Sequence, residues 1–171
     1  IGIDDQDVEK DLDSFVNAVA ATGCNTFIIH ARKAWLQGLS PKENREIPPL
    51  DYDRVHRLKA QHPGLVIILN GGLSDLDQDK AHLVDLDGLM YGREAYHNPW
   101  MLAGIDEQPP VKTRGEAVLA CLPYVQEQQA KGVNLHRITR HMLGLYHAQP
   151  GGRIWRQILS TQGCRPGATH D

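Results

Sequence analysis

LVIILNGGLSD (residues 65–75) sets five apolar residues in a row against an Asn, two glycines and a helix-starting Ser-Asp pair. A run this short and this uniformly apolar reads as a strand buried on both faces, which is the pattern of a parallel sheet. Its break at Asn70-Gly71-Gly72 puts permissive backbone where the carboxyl end of the strand meets a loop. Further along, DGLMYGREAY (87–96) repeats the design: an apolar run breaks at Gly92, and Arg93 follows.

Working outward, the first hundred residues alternate helix and strand. DVEKDLDSFVNAVAATG (7–23) places Leu12, Phe15, Val16 and Val19 on one helical face and stops at Gly23. NTFIIHAR (25–32) is a β-branched and aromatic strand, and DYDRVHRLKAQHPG (51–64) is an amphipathic helix started by Asp51 and ended by Pro63-Gly64. LVIILN, a helix over 74–86 and the strand GLMYG (88–92) complete the series. Apolar strands separated by helices predict a parallel sheet covered on both faces. Beyond Pro109-Pro110 only helical periodicity remains, in RGEAVLACLPYVQEQQAKG, LHRITRHMLGLYHAQPGG and RIWRQILSTQG, so residues 1–108 read as an α/β domain, 109–171 as a small all-α domain and PPVKT as the linker.

In a parallel α/β protein the functional loops lie at the carboxyl ends of the strands, and in an eight-stranded barrel the last two such loops commonly hold phosphate. Glycines there let backbone N–H groups approach the oxygens, a following helix N-terminus adds partial positive charge, and Arg93 offers a forked, permanently charged partner. His30 closes the FIIH strand in the same mouth, with Arg32 and Lys33 directly behind it. The connection that follows, 34–50, is long, which marks it as functional or disordered. Within it Ser40-Pro41-Lys42-Glu43 has the form of a capped turn that would hold Lys42 and Arg45 outward.

Charge is divided along the chain. Residues 1–110 carry 10 Lys and Arg against 18 Asp and Glu, whereas 111–171 carry 8 against 3, so a net charge of −3 conceals a basic tail suited to a polyanion. There is no charged-then-apolar leader and no apolar run of membrane-spanning length. Cys24, Cys121 and Cys164 are too scattered for a disulfide framework or a CxxC metal site. These features lead to the expectation of a soluble, cytoplasmic protein. His136, His141 and His147 do not fall on one helical face as metal ligands would, and no metal is expected.

IIHARKAWLQGLSPKENREIPPLDYDRV, the NGG at 70–72, GREAYHNPW at 92–100 and ITRHMLGLYHAQPGGRIWR at 138–156 together closely resemble tRNA-dihydrouridine synthases of the A type. The resemblance covers essentially the whole chain. It implies a TIM (β/α)8 barrel, of which only the C-terminal half is present, followed by a helical domain. It also implies an FMN-dependent enzyme that reduces the C5=C6 bond of D-loop uridines in tRNA with NADPH as electron donor: the flavin supplies the hydride and the protein supplies geometry and charge. By motif, His30, Asn70, Gly71, Gly72, Gly92 and Arg93 match flavin-contacting positions, and Lys42, Arg45, Arg153 and Arg156 match positions that touch tRNA. In this family a cysteine on an earlier loop protonates the uracil, and none of Cys24, Cys121 and Cys164 lies in a matching motif, so no catalytic residue is assigned here. With three clear strands and IGIDD as the end of a fourth, half a barrel would expose a sheet edge and an apolar interior. An RNA-binding fragment without catalysis and a piece of another flavin-dependent TIM-barrel oxidoreductase are the competing readings.

Overall fold

The computed structural model describes residues 1–105 and 108–170. Two compact units emerge, Ile1–Gly92 and Arg93–Asp171, so compaction changes ahead of the Pro109-Pro110 segment, and residues 93–105 group with the helices.

The first unit is built on a parallel sheet of β1 (Thr26–His30), β2 (Val66–Asn70) and β3 (Gly88–Met90) in that spatial order. Helix α1 (Lys10–Ala20) precedes β1, and α2 (Tyr52–Gln61) connects β1 to β2. Asp7 starts α1 by accepting from the N–H groups of Glu9 (2.9 Å) and Lys10 (3.1 Å), bonds that hold its carboxyl below the ordinary carboxylate range. Asp51 caps α2 through the Arg54 N–H at 2.9 Å, as its position before the apolar periodicity demands. Residues 1–3 run along the outer side of β1 and its continuation, where Ile3 forms a parallel bridge with Ala34 and the Ile1 nitrogen reaches the His30 carbonyl at 3.1 Å.

One face of the sheet carries the core. Phe27, Ile29, Ile67 and Leu69 are buried against Val16 of α1 and Val55 and Leu58 of α2. Each such side chain contributes about 1.5–3 kcal/mol relative to exposure. The opposite face is open: Ile28 is 55% exposed, Met90 39% and Val66 37%. The expectation of a sheet covered on both faces is therefore corrected. The strands are apolar on both sides, but the described helices pack on one side only. Phe15, expected in the core stripe of α1, is 61% exposed. The helix expected over 74–86 is also shorter, with α3 (Leu76–Asp79) giving way to a 3-10 turn over Lys80–Val84.

A buried charge ties the two long helices of this unit. Arg54 is fully buried and donates from Nε to the Val8 carbonyl (2.9 Å), from Nη2 to the Glu9 carbonyl (3.1 Å) and to the Asp13 carboxylate. Such a pair is tolerated because Nε and Nη2 find acceptors at the start of α1, while Nη1 is buried without a hydrogen-bond partner.

The second unit is helical: α4 (Arg93–His97), a 3-10 segment over Pro99–Gly104, α5 (Arg114–Ala130), α6 (Leu135–Thr139) and α7 (Gly152–Thr161). Thr113 and Glu116 form a reciprocal capping box at the start of α5, the Glu116 N–H bonding Thr113 Oγ1 (3.1 Å) and the Lys112 N–H bonding Glu116 Oε2 (2.7 Å). The long helix expected over 135–152 is cut short after α6 by a 3-10 turn at Arg140–Met142 and a run of turns leading to Pro150 and Gly151. Trp155 of α7 donates to the Met142 carbonyl at 2.9 Å, which closes α7 back onto that segment.

Candidate functional site

The three strands end in step. His30 pairs with Asn70, and Asn70 with Met90, in the parallel register. Side chains alternate along a strand, so His30 and Asn70 share the open face with Ile28 and Ile68. A groove of about 330 Å³ lies at the β1 edge of the sheet, between that strand, α1 and the first residues of the chain, and is lined by Gly2, Leu12, Phe15, Ile28, Ile29 and His30. The structure thus brings together His30, Asn70, Gly71 and Gly72: a Cβ placed on Gly71 would lie 3.6 Å from the His30 ring carbon Cε1.

The glycines at the strand ends exist for different reasons. Gly71 (φ +117°) and Gly72 (φ +70°) hold backbone conformations that L side chains rarely adopt, and a Cβ on Gly72 would come within 2.5 Å of Leu50 Cδ1 and 3.2 Å of the Tyr52 hydroxyl. Their turn is further held by Tyr52, whose hydroxyl donates to the Gly71 carbonyl at 2.7 Å. The fold itself requires these two residues. Gly92 differs, since its φ lies outside the left-handed region and a Cβ there would meet nothing within 4 Å among the described residues. Internal packing does not demand glycine at 92, and the missing side chain leaves a clear approach to the backbone.

One expectation fails at the first loop. The sequence offers the N-terminus of α3 as a donor for an anion, but the N–H groups of Ser74, Asp75, Asp77 and Gln78 already have carboxylate acceptors. Asp75 accepts from Asp77 (3.0 Å) and Gln78 (3.3 Å), and Asp79 Oδ2 accepts from Ser74 and Asp75, both at 3.0 Å. The same oxygen takes the Tyr91 hydroxyl at 2.9 Å. Burial, followed by Asp79, pushes the Tyr91 phenol up, and burial followed by the Asp79 charge does the same to Tyr52. Both phenols stay protonated donors. Asp79, Tyr91, Tyr52 and Arg54 escaped sequence reasoning; the one available signal was the position of Tyr91 immediately before Gly92.

The remaining candidates divide between the two units. Gly92 closes the first unit, and Arg93, exposed, is the first residue of α4 in the second. Lys42 and Arg45 are carried on the 34–50 connection, where Ser40 and Glu43 complete the expected cap: the Ser40 N–H bonds Glu43 Oε2 at 2.8 Å, and the Glu43 N–H bonds Ser40 Oγ at 3.3 Å. The Ser40 hydroxyl, followed by the Ser40 N–H, holds the Glu43 carboxyl below its usual range. The connection is ordered by its own polar contacts: Asn44 bonds both the N–H (2.7 Å) and the carbonyl (2.8 Å) of Trp35, and Asp4 accepts from Leu36 (2.7 Å). Arg153 and Arg156 are exposed one turn apart on α7. Among the described residues no group of three or more His, Cys, Asp or Glu is placed to hold a metal, and no helix is long and apolar enough to cross a membrane.

Comparison with known proteins draws on nearly the whole chain. The dihydrouridine synthase (Dus) family profile matches residues 1–165. The tRNA-dihydrouridine(20/20a) synthase of Shewanella oneidensis is 53% identical over 98% of this chain and 52% of its own length. Those of Vibrio cholerae and Vibrio parahaemolyticus are 51% and 52% identical, each over 98% of this chain and 53% of their own. The chain spans about half the length of the curated relatives it matches. With strand-end glycines, a mouth histidine and a family match of this extent, the chain belongs to the dihydrouridine synthase family.

Proposed function

We propose that this chain is the flavin-phosphate and RNA-binding part of a tRNA-dihydrouridine synthase that reduces D-loop uridines in tRNA, with FMN as cofactor and NADPH as electron donor. The observation that carries the reading is the family match across residues 1–165, together with relatives named as tRNA-dihydrouridine(20/20a) synthases. Gly92 supports the cofactor assignment, because glycine there serves no internal purpose and leaves the backbone open. The residues that would hold FMN are His30, Asn70, Gly71, Gly72, Gly92 and Arg93. When bound, FMN supplies hydride chemistry that no side chain can. His30 and Asn70, on the open sheet face, present hydrogen-bonding groups toward the flavin, and Arg93 supplies a charged fork for its phosphate.

The open apolar face, with Ile28, Val66 and Met90 exposed, is the interior of a TIM barrel whose other strands lie outside this chain. Residues 1–108 then form its C-terminal half and 109–171 the tRNA-binding helical domain. On that domain Arg153 and Arg156 contact phosphates, while Lys42 and Arg45 contact tRNA beside the barrel mouth. A cytoplasmic location suits such a substrate.

The test uses the intact protein that carries this chain. It should purify with a flavin spectrum and, given NADPH, add two hydrogens per modified uridine to tRNA lacking dihydrouridine, read by nucleoside mass spectrometry. A protein that binds tRNA but retains no flavin would leave an RNA-binding module and overturn the enzyme reading. Replacing Arg153 and Arg156 with Ala should leave flavin reduction intact, weaken tRNA binding and lower the slope of log affinity against log salt by about 0.7–0.9 for each phosphate no longer neutralised. An unchanged slope would remove α7 from the RNA surface.

A further inference from the structure

Asp79 is the last residue of α3, yet its hydrogen bonds run to both glycine loops. Its Oδ2 accepts from the N–H groups of Ser74 and Asp75, in the turn that follows Gly72, and from the hydroxyl of Tyr91, the residue before Gly92. Regular sheet bonding has ended by then, since β2 stops at Asn70 and β3 at Met90. A single carboxylate thus bridges the two loops where the ladder no longer does. Tyr91 packs against the hydrophobic core, so its hydroxyl is aimed by burial. Tyr52 braces the same turn from α2 through the Gly71 carbonyl.

Helix capping alone does not account for Asp79. Asp75 caps α3, and the bonds of Asp79 to the Ser74 and Asp75 N–H groups belong to that same single turn, whereas its bond from the Tyr91 hydroxyl lies outside any capping pattern. Three convergent donors stabilise the ionised carboxylate at this position.

We infer that Asp79 and Tyr91 are positioning residues that set the spacing between the Gly71-Gly72 turn and Gly92, so that one phosphate group meets both loops. The inference rests on the flavin-phosphate reading above. Neither residue touches the ligand; both act through backbone.

The test compares Tyr91→Phe and Asp79→Asn with the wild type in the intact protein, using two readouts. Amide hydrogen exchange of the flavin-free protein reports on residues 72–75 and 91–92, and quenching of free flavin fluorescence gives FMN affinity. Tyr91→Phe should speed exchange in both loops, although it removes only one hydroxyl on one of them, and should weaken FMN binding about tenfold, the effect that one hydrogen bond to a charged group predicts. Asp79→Asn should do the same or more. Faster exchange confined to 91–92, or FMN affinity within about twofold of wild type in Tyr91→Phe, would overturn the inference while leaving the flavin reading standing. Wild-type protein that binds no FMN would refute the flavin reading and the inference with it.

Discussion

Replacing Gly72 and Gly92 with alanine, one at a time, separates a glycine that the fold needs from one that a ligand needs. At Gly72 the backbone sits at φ +70°, where an L side chain costs about 1–2 kcal/mol. The new Cβ would stand 2.5 Å from Leu50 Cδ1, so Leu50 must retreat by ~1 Å to restore ordinary packing at about 3.5–4.0 Å. Overpacking of this kind costs about 1–3 kcal/mol, and the lower half applies because the atom that must move is the tip of a rotatable side chain. Gly72→Ala should thus destabilise the flavin-free protein by about 2–4 kcal/mol. Gly92→Ala meets no atom within 4 Å and no strained φ, so it should leave stability unchanged or raise it by about 0.4–1 kcal/mol by restricting the unfolded chain. Its methyl group nevertheless fills the approach to the backbone, and FMN affinity should fall by about tenfold or more. Urea unfolding of flavin-free protein measures the first quantity and fluorescence titration with FMN the second. If Gly92→Ala unfolded as easily as Gly72→Ala, or bound FMN like the wild type, the assignment of Gly92 to a ligand would be wrong.

Other perturbations probe the supports beneath the site. Asp51→Ala removes the cap of α2 and should cost about 0.5–2 kcal/mol in urea, with little effect on FMN affinity. Arg54→Ala leaves Asp13 and the carbonyls of Val8 and Glu9 without their donor and should cost about 3–5 kcal/mol; Arg54→Met, which keeps the apolar stem, should recover part of that. Asp87 accepts from Lys59 and from the Ile67 N–H (2.7 Å), the Lys59 bond being the larger cause that holds its carboxyl below the ordinary 3.8. Its contribution is therefore complete above that value and is lost as pH falls through the lower folded value. Plotted between pH 5 and 2, the urea midpoint of wild type should fall more steeply than that of Asp87→Asn below about pH 4, and parallel curves throughout would show that the pair contributes nothing.

Local chemistry made much of this molecule readable from its residues. Asp51 before an apolar stripe and Ser40 three residues before Glu43 each form the cap their spacing requires, because capping involves only neighbours along the chain. The strands ending at His30 and Asn70 follow from short β-branched runs broken by polar or glycine residues, whereas the third, read as 88–92, stops at Met90. A parallel arrangement with glycines at the carboxyl ends was legible for the same reason. What neighbours could not determine was which face of an apolar strand finds a cover. Ile28 and Ile29 are chemically alike, yet one is 55% exposed and the other 7%, since α1 and α2 reach only one side of the sheet. Nor could spacing reveal that the N–H groups ahead of α3 are occupied by Asp75 and Asp79, or that Tyr91 joins them across a separation of 12 residues. Glycine is the clearest case. Sequence set Gly72 and Gly92 side by side as equivalent strand-end residues, and only the packing of Leu50 and Tyr52 around the first, with open space around the second, distinguishes a fold requirement from a place for a ligand.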